Sequence, residues 1–221
     1  ECPQRQLGDG RRGVAHVLMT AALDAVSGDG DFPSFLPFGN QTLKAVQPNA
    51  DTIYRAARVT PGGTYRLRGR RGSLRIAIVG QSPSPLLPGQ IKAHNDINGL
   101  QVDADGNFDV ILSPTRPHGY TGDWWELQPA TRNLLLRMVS GDWSKERDPT
   151  ISIERVDKPM GRPRRTAAEL EQRLRSLPAA ATYIAALQLA HVEDLRQQGY
   201  VNKLKMYDTA TLVALGGLTG Q

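Results

Sequence analysis

The stretch from residue 49 to residue 79 alternates between apolar and charged positions with a period of two. Tyr65 and Leu67 fall on one side of this pattern, and Arg66 and Arg68 fall on the other. A period of two places successive side chains on opposite faces of a β-strand. The same pattern returns later in the stretch, at Leu74, Ile76 and Ile78. Glycine-bearing turns separate three such runs, which predicts a three-stranded β-meander.

More short alternating runs follow in the middle of the chain. The turn Asp103–Gly106 ends in Asp-Gly and lies between the runs 100–102 and 108–112, which predicts a β-hairpin. Strands are also expected over 132–139 and 150–156. Several short strands separated by frequent turns are typical of all-β domains. We therefore predict a mainly β fold, an antiparallel β-sandwich or jelly roll, over residues 49–157.

Helical spacing is confined to the two ends of the chain. Apolar residues recur at helical intervals over 11–27, and Gly28 stops that helix. Residues 28–48 resemble a loop, so residues 1–48 are predicted to be an N-terminal helix and loop.

The composition changes again at residue 158. Residues 158–165 read as a basic, proline-broken linker. Thr166 and Glu169 form a capping box that starts a helix, and Pro178 ends or kinks it. A further helix is predicted to end at Gly199. Residues 158–221 are thus predicted to be a linker and C-terminal helices packed on the sandwich.

The composition narrows the function classes. With 39% hydrophobic and 22% charged residues among 221, the chain is predicted to be a soluble folded protein. The net charge is +5, but the arginines are not interleaved with exposed aromatic residues, so we predict no nucleic-acid partner. No apolar run approaches the roughly 20 residues of a membrane span. The sequence leaves two cellular locations open: the protein is either cytoplasmic or exported with its signal peptide removed.

Metal and cofactor chemistry have little support in the sequence. Cys2 is the only cysteine and the four histidines are scattered, so we predict no structural zinc, no metal site and no cofactor. A weaker alternative is that His94 and His118 converge with Asp51, Asp96 or Glu126 into a metal site. His16 lies in a predicted helix and is expected to be structural.

Nine residues are candidates for a functional site. A histidine and carboxylates can supply acid/base chemistry, and tryptophan, tyrosine and arginine can line a pocket for an organic ligand. The catalytic candidates are His94, Asp51 and Glu126. The ligand-binding candidates are Asn49, Tyr54, Arg55, Trp124, Trp125 and Arg137.

Each candidate also has a structural interpretation. Adjacent residues of a strand point to opposite faces, so one of Trp124 and Trp125 is expected in the core and the other outside it. For Arg55 the structural alternative is an ion pair with Glu146 or Glu154.

Several short motifs resemble those of one bacterial family. They are Asn49-x-Asp51-x-x-Tyr54, Tyr65-Arg66-Leu67-x-Gly69, Phe108 to Pro114, Gly122-Asp123-Trp124-Trp125-Glu126-Leu127, Arg137 and Asp142-Trp143-x-x-Glu146. Together they are similar to proteins with the domain of unknown function numbered twelve-fourteen, whose partner domain is numbered twelve fifty-four. Ala50 stands where that family usually has proline, and Asp123 where asparagine is common. The resemblance covers roughly residues 47–156 and implies a β-sandwich, but no established reaction.

Three functions remain open from the sequence. The first is a small-molecule enzyme that uses a β-sandwich pocket with acid/base residues and tryptophans, its reaction unknown. The alternative is a non-catalytic module that binds a carbohydrate or another polar ligand. A third is an interaction protein that docks a partner, or forms an oligomer, through its helical ends. The missing nucleophile–base–orienter set favours binding over covalent catalysis.

Overall fold

The computed structural model describes residues 3–39, 50–83, 93–159 and 161–203. Two mainly antiparallel sheets face each other, with a helix before them and a helical segment after them. This is the sandwich that the alternating pattern predicts. The elements are α1 (Pro3–Ser27), β1 (Leu36–Gly39), β2 (Thr52–Arg58), β3 (Tyr65–Arg70), β4 (Ile76–Ser82), β5 (Ala93–Asp96), a 3₁₀-helix (Ile97–Gly99), β6 (Asn107–Ser113), β7 (Asp123–Glu126), β8 (Asn133–Val139), β9 (Thr150–Arg155), α2 (Ala167–Arg175) and α3 (Leu177–Gln197).

The larger sheet has five strands in the order β1-β2-β8-β4-β5. Its central strand β8 is an almost unbroken apolar run, as expected for a strand covered on both faces. Leu134 and Leu136 point into the core between the sheets, whereas Leu135 is buried on the outer face. There α1 lies against β1, and Arg58 of β2 pairs with Asp24 of α1.

The smaller sheet has the order β7-β6-β3-β9, and β6 and β7 run parallel. This arrangement corrects the predicted meander. β2 and β4 both pair with β8, whereas β3 pairs with β6 and β9 in the opposite sheet. The glycine turns therefore carry the chain across the sandwich twice. Alternation identifies the buried face of each run but not its partner strand, and for this reason the predicted pairing is wrong.

Tyr65 lies fully buried in the core, and its polar end is satisfied. Its hydroxyl accepts a hydrogen bond from the Thr60 N–H at 2.6 Å and donates one to the Gly30 carbonyl at 2.7 Å. Burial raises the pKa of this phenol above its ordinary value of 10.0. The Arg155 guanidinium lies 5.7 Å from the ring centre. Tyr65 thus joins the loop after α1 to the core of the sandwich.

The buried side-chain amide of Gln81 connects the two sheets. Gln81 of β4 donates from Nε2 to Asn95 Oδ1 at 3.0 Å and to the Glu126 carbonyl of the other sheet at 2.8 Å. Its Oε1 accepts from the Gln128 N–H at 2.9 Å and from the Thr131 hydroxyl at 3.0 Å. All four hydrogen-bonding positions of the side chain are used, so a polar group with 0% exposure is fully satisfied.

The helices from the two ends of the chain pack on each other. Val17 and Ala21 of α1 bury against Ile184 of α3. Leu189 and Val192 of α3 remain exposed. That the helical ends support an oligomer stays a prediction. No helix in the described ranges combines the length and apolar character needed to cross a bilayer.

The basic linker holds the end of α1. Arg165 donates to the carbonyls of Val26 and Gly28, and Arg173 of α2 donates to Gly28 at 2.6 Å. These carbonyls lie at the C-terminal end of α1, where the helix dipole is negative and favours a positive charge. Arg165 also binds the Asp29 carboxylate at 2.8 Å. The positive charges of Arg165 and Arg173 therefore stabilise contacts within the fold.

Asp31 extends this cluster of charges. It pairs with Arg155 and, at 2.6 Å, with Lys158. The Lys158 hydrogen bond and the Arg155 charge lower the pKa of Asp31 below its ordinary 3.8, although burial opposes the shift. Burial would raise the pKa of Asp29, but the hydrogen bonds from Arg165 and two backbone N–H groups lower it below 3.8. Both carboxylates therefore stabilise the fold in their ionised form.

The element boundaries confirm several predictions and correct others. The capping box of Thr166 is present, and Gly199 has φ +78° after α3. The Asp103 turn closes, with a Gly106 N–H to Asp103 carbonyl bond of 3.0 Å, but residues 100–102 form no strand. α1 begins at Pro3 instead of residue 11, and β1 lies within the predicted loop 28–48. Cys2 and residues 204–221 lie outside the described part.

Replacement of the buried amide should destabilise the sandwich. Gln81→Met should lower the free energy of unfolding by about 3 kcal/mol, because it leaves several buried partners unsatisfied at about 1–3 kcal/mol each. Urea unfolding at pH 7 measures this loss. The control is Gln101→Met at an exposed position, with an expected change within about 0.5 kcal/mol. Equal losses in both variants would contradict a special role for Gln81.

The ion pairs of Asp29 and Asp31 should make the stability of the fold depend on pH. Because the pKa values of Asp29 and Asp31 are depressed in the folded state, their stabilisation is present above pH 3.8 and is lost as the pH falls through the folded-state values. Asp31→Asn should therefore reduce stability at pH 7 by about 1–2 kcal/mol and by less at pH 2. Urea unfolding at both pH values tests this against Asp148→Asn, an exposed control. An equal loss at both pH values would contradict it.

Candidate functional site

Two of the predicted ligand-binding residues face each other across a pair of strands. In the register of β2 and β8, Tyr54 lies opposite Arg137. The neighbouring pair Ile53 and Met138 points into the core, so Tyr54 and Arg137 lie on the outer face of the five-stranded sheet. Both side chains are half-buried. The sequence separates these residues widely, and the register places them side by side.

His94 lies on the same outer face. On β5 it is opposite Gly80 of β4, and Gly80 is opposite Leu135 of β8. His94 is thus two strands from Arg137 and one row along, about 10 Å across the sheet and about 7 Å along it, so their Cα atoms are about 12 Å apart. His94 is exposed, but partial desolvation of its ring and the Arg137 charge both lower its pKa below its ordinary 6.5. The imidazole is therefore mostly neutral at pH 7.

Tyr54, His94 and Arg137 form the candidate site, which we name the histidine–arginine face. Small and apolar residues lie between and around them. Ile78 of β4 separates Arg137 from Asp96 of β5, which is in the same row. The neighbouring row, beside His94, contains Gly80, Leu135 and Ala56.

Asp96, one of the carboxylates of the weaker metal alternative, lies on the same face as His94 by alternation along β5. Its carboxylate accepts a hydrogen bond from the Asn98 N–H at 2.9 Å and caps the 3₁₀-helix. This contact gives Asp96 a structural task. The turn-forming Asn-Asp pair at residues 95–96 is the sequence feature that indicates this structural role.

Three other candidates do not join this face. Asp51 is exposed just before β2, and its carbonyl accepts a hydrogen bond from the Ser140 N–H at 2.9 Å. Arg55 is exposed and, by alternation, lies on the opposite side of β2 from Tyr54. Glu146, one proposed partner of Arg55, instead accepts from the Gly141 and Asp142 N–H groups. Asn49 lies outside the described residues.

The tryptophans and Glu126 belong to the other sheet. Trp125 packs against the core, whereas Trp124 lies on the outer face of the four-stranded sheet and donates from Nε1 to Ser113 Oγ at 3.0 Å. This divergence is the one that alternation predicts. Glu126 is exposed on the same side of β7 as Trp124. The two sheets lie about 10 Å apart, so these residues and the histidine–arginine face are on opposite sides of the sandwich.

A small cavity lies beside the histidine–arginine face, between α1 and the sheet. Its volume is about 20 Å³, room for about one water molecule. Asn133 lines it and is buried, and its Oδ1 has no hydrogen-bond partner among the described residues. Thr20 and Arg58 also line it. The cavity is too small for an organic ligand.

Metal ligands do not cluster in the described part of the chain. There, no three His, Cys, Asp or Glu side chains approach closely enough to hold an ion. The absence of a metal or cofactor requirement stays a prediction.

Comparisons with known proteins support the fold. No protein-family model matches the chain, and no curated protein does. The structure is similar to that of an uncharacterised protein from Burkholderia cenocepacia, with 25% identity and a TM-score of 0.79 over 98% of this chain. The chain spans 60% of that protein's length. The VPA0106 protein from Vibrio parahaemolyticus matches at 13% identity and a TM-score of 0.35, over 48% of this chain and 31% of that one. The resemblance to the twelve-fourteen family stays a prediction.

The coupling between Arg137 and His94 can be measured directly. Arg137→Gln should raise the pKa of His94, because it removes a positive charge that disfavours the imidazolium. An NMR titration of the His94 ring protons gives the value. Arg70→Gln removes the same charge from the other sheet and should leave the His94 pKa unchanged. An unchanged pKa in Arg137→Gln would contradict the assigned proximity.

Proposed function

We propose that the chain binds a small organic anion on the histidine–arginine face. The observation that carries this proposal is the register that pairs Tyr54 with Arg137, together with the effect of Arg137 on His94. A half-buried guanidinium opposite a phenol, with an imidazole two strands away on the same face, is suited to a carboxylate. This is the polar-ligand alternative among the functions open from the sequence.

The chemistry of each side chain supports an anionic ligand. A guanidinium is planar and can donate two parallel hydrogen bonds to a carboxylate. A phenol can donate a third, and a neutral imidazole can donate from one nitrogen and accept at the other. Ile78, which is half-buried on this face, would contact the carbon skeleton of the ligand. Binding sites for small organic molecules usually combine a few polar groups with a mostly apolar lining.

Catalysis is the second candidate, and one observation favours it. A histidine with a lowered pKa is unprotonated at neutral pH and can act as a general base. In this version Arg137 would hold the anionic part of a substrate while His94 accepts a proton from it. Among the described residues no carboxylate hydrogen-bonds the His94 ring, and Glu126 belongs to the other sheet. Binding without chemistry therefore has the stronger support.

The proposal predicts charge-dependent binding. Acetate, succinate and citrate are the probes, and succinamide is the neutral analogue of succinate. We expect at least one of the carboxylates to bind with a millimolar or lower Kd by calorimetry, and succinamide to bind at least tenfold more weakly. Arg137→Gln should weaken carboxylate binding by tenfold or more, since a charged hydrogen bond contributes about 1.5–3 kcal/mol.

Two controls separate this from non-specific attraction to a basic protein. Arg70→Gln has the same net charge as Arg137→Gln and should bind as the unaltered protein does. Tyr54→Phe should weaken binding several-fold while leaving the melting temperature nearly unchanged. Equal weakening by Arg70→Gln and Arg137→Gln would overturn the proposal, as would the absence of binding by all three carboxylates.

A further inference from the structure

The outer face of the four-stranded sheet presents a different surface. One row crosses all four strands, from Trp124 on β7 through Ile111 and Arg66 to Glu154 on β9. The next row contains Asp109 and Arg68. We name this surface the tryptophan face, and its defining residues are Trp124, Tyr120, Arg66, Arg68, Asp109 and Glu154. It lies on the opposite side of the sandwich from the histidine–arginine face.

The ring of Trp124 has a fixed position on this surface. Its Nε1 donates to Ser113 Oγ at 3.0 Å, and the Ser113 hydroxyl donates to the Thr115 carbonyl at 2.8 Å. Ser113 is 2% exposed, so the indole N–H is anchored to a buried group. The indole itself remains partly exposed. The residue therefore offers an aromatic surface whose orientation is already set before a ligand arrives.

Tyr120 supplies a second aromatic ring, in the loop just before β7. A Cβ atom built on Gly122 would lie 2.6 Å from the Tyr120 hydroxyl oxygen and 2.8 Å from Cζ, so the ring crosses directly over this glycine. Arg116 fixes the loop by donating to the Tyr120 carbonyl at 3.0 Å and to the Gly122 carbonyl at 2.8 Å. Gly122 precedes β7, two residues before Trp124. The Tyr120 ring therefore lies over the residue two positions before Trp124, at the edge of the sheet.

The charges of the tryptophan face are paired within it. Arg66 Nε donates to both carboxylate oxygens of Asp109, at 2.8 and 3.0 Å, and Arg68 donates to Glu154 at 2.7 Å. Two guanidinium groups thus face two carboxylates, and the charges of the two pairs cancel. All four side chains are at least one-third exposed, so their unused donors and acceptors can reach a ligand.

We propose that the tryptophan face binds a neutral carbohydrate. The C–H face of a sugar ring would stack on Trp124, with Tyr120 beside it, because an indole offers a large, rigid apolar surface with a polar edge. Asp109 and Glu154 would accept hydrogen bonds from sugar hydroxyls, and Arg66 and Arg68 would donate to them. The cancelling charges match an uncharged polyhydroxylated ligand better than an anion. This site is independent of the anion-binding proposal on the opposite face.

The test uses maltohexaose, cellohexaose, xylohexaose and chitohexaose as probes in calorimetry with the whole chain. We expect at least one of them to bind with a millimolar or lower Kd. Trp124→Ala should weaken that binding by roughly tenfold or more, as truncation of a central aromatic residue does. The matched control is Trp143→Ala, because Trp143 is 63% exposed on the loop after β8, outside the tryptophan face, and its loss should leave the affinity unchanged.

A second variant keeps the test valid if Trp124→Ala fails to fold. Gly122→Ala leaves Trp124 intact but displaces Tyr120, and it should weaken binding about threefold or more while the protein still melts cooperatively. Arg137→Gln should bind the sugar normally, which separates this site from the histidine–arginine face. The proposal is overturned if no hexasaccharide binds, if Trp143→Ala weakens binding as much as Trp124→Ala, or if Gly122→Ala binds as the unaltered protein does.

Discussion

The hydrogen bonds of one buried amide determine how the two sheets of this sandwich are joined. Gln81 belongs to the five-stranded sheet, yet it donates to the Glu126 carbonyl at the end of β7 and accepts from Thr131 just before β8. The apolar core alone is non-directional and would tolerate small shifts of one sheet over the other. A fully satisfied amide is directional, and a shift would leave several buried groups unpaired at once. Because the two candidate binding faces are the outer faces of these sheets, the hydrogen bonds of Gln81 also hold the two faces in position relative to each other.

The arginine-rich composition serves the fold before it serves any ligand. Arg165 and Arg173 occupy the C-terminal end of α1, and Arg155 binds Asp31 and Asp157. The contacts of Arg165 and Arg173 attach the linker and α2 to the first helix, and the Arg155–Asp31 pair attaches β9 to the loop after that helix. A net charge of +5 is therefore a poor guide to partners here, because many of the cations already have internal carboxylates or carbonyls. The prediction that no nucleic acid binds stays a prediction, and this pairing is consistent with it.

The alternating pattern predicted correctly which face of a strand a side chain occupies. It failed to predict which strands, far apart in the sequence, pair with each other. It identified the sandwich, the inward Tyr65 and Leu67, and the divergence of Trp124 and Trp125. It could not place β3 in a different sheet from β2 and β4, since period two specifies a face and not a partner. The Tyr54–Arg137 pair depends on register between distant strands, so the sequence could name both residues but not join them. The hypothesis of a single pocket lined by the tryptophans and His94 rested on residue types alone. In the structure the tryptophans belong to the four-stranded sheet and His94 to the five-stranded sheet.

The central place of β8 has a consequence for how this chain folds. β2 and β4 both pair with β8, which follows them by more than 50 residues in the sequence. During synthesis their inner edges have no partner in the sheet until β8 leaves the ribosome. Long-range pairing of this kind slows folding, and unpaired edges are prone to intermolecular association. The five-stranded sheet must therefore assemble late and around its last strand, and a nascent chain of this protein is at its most vulnerable just before β8 emerges.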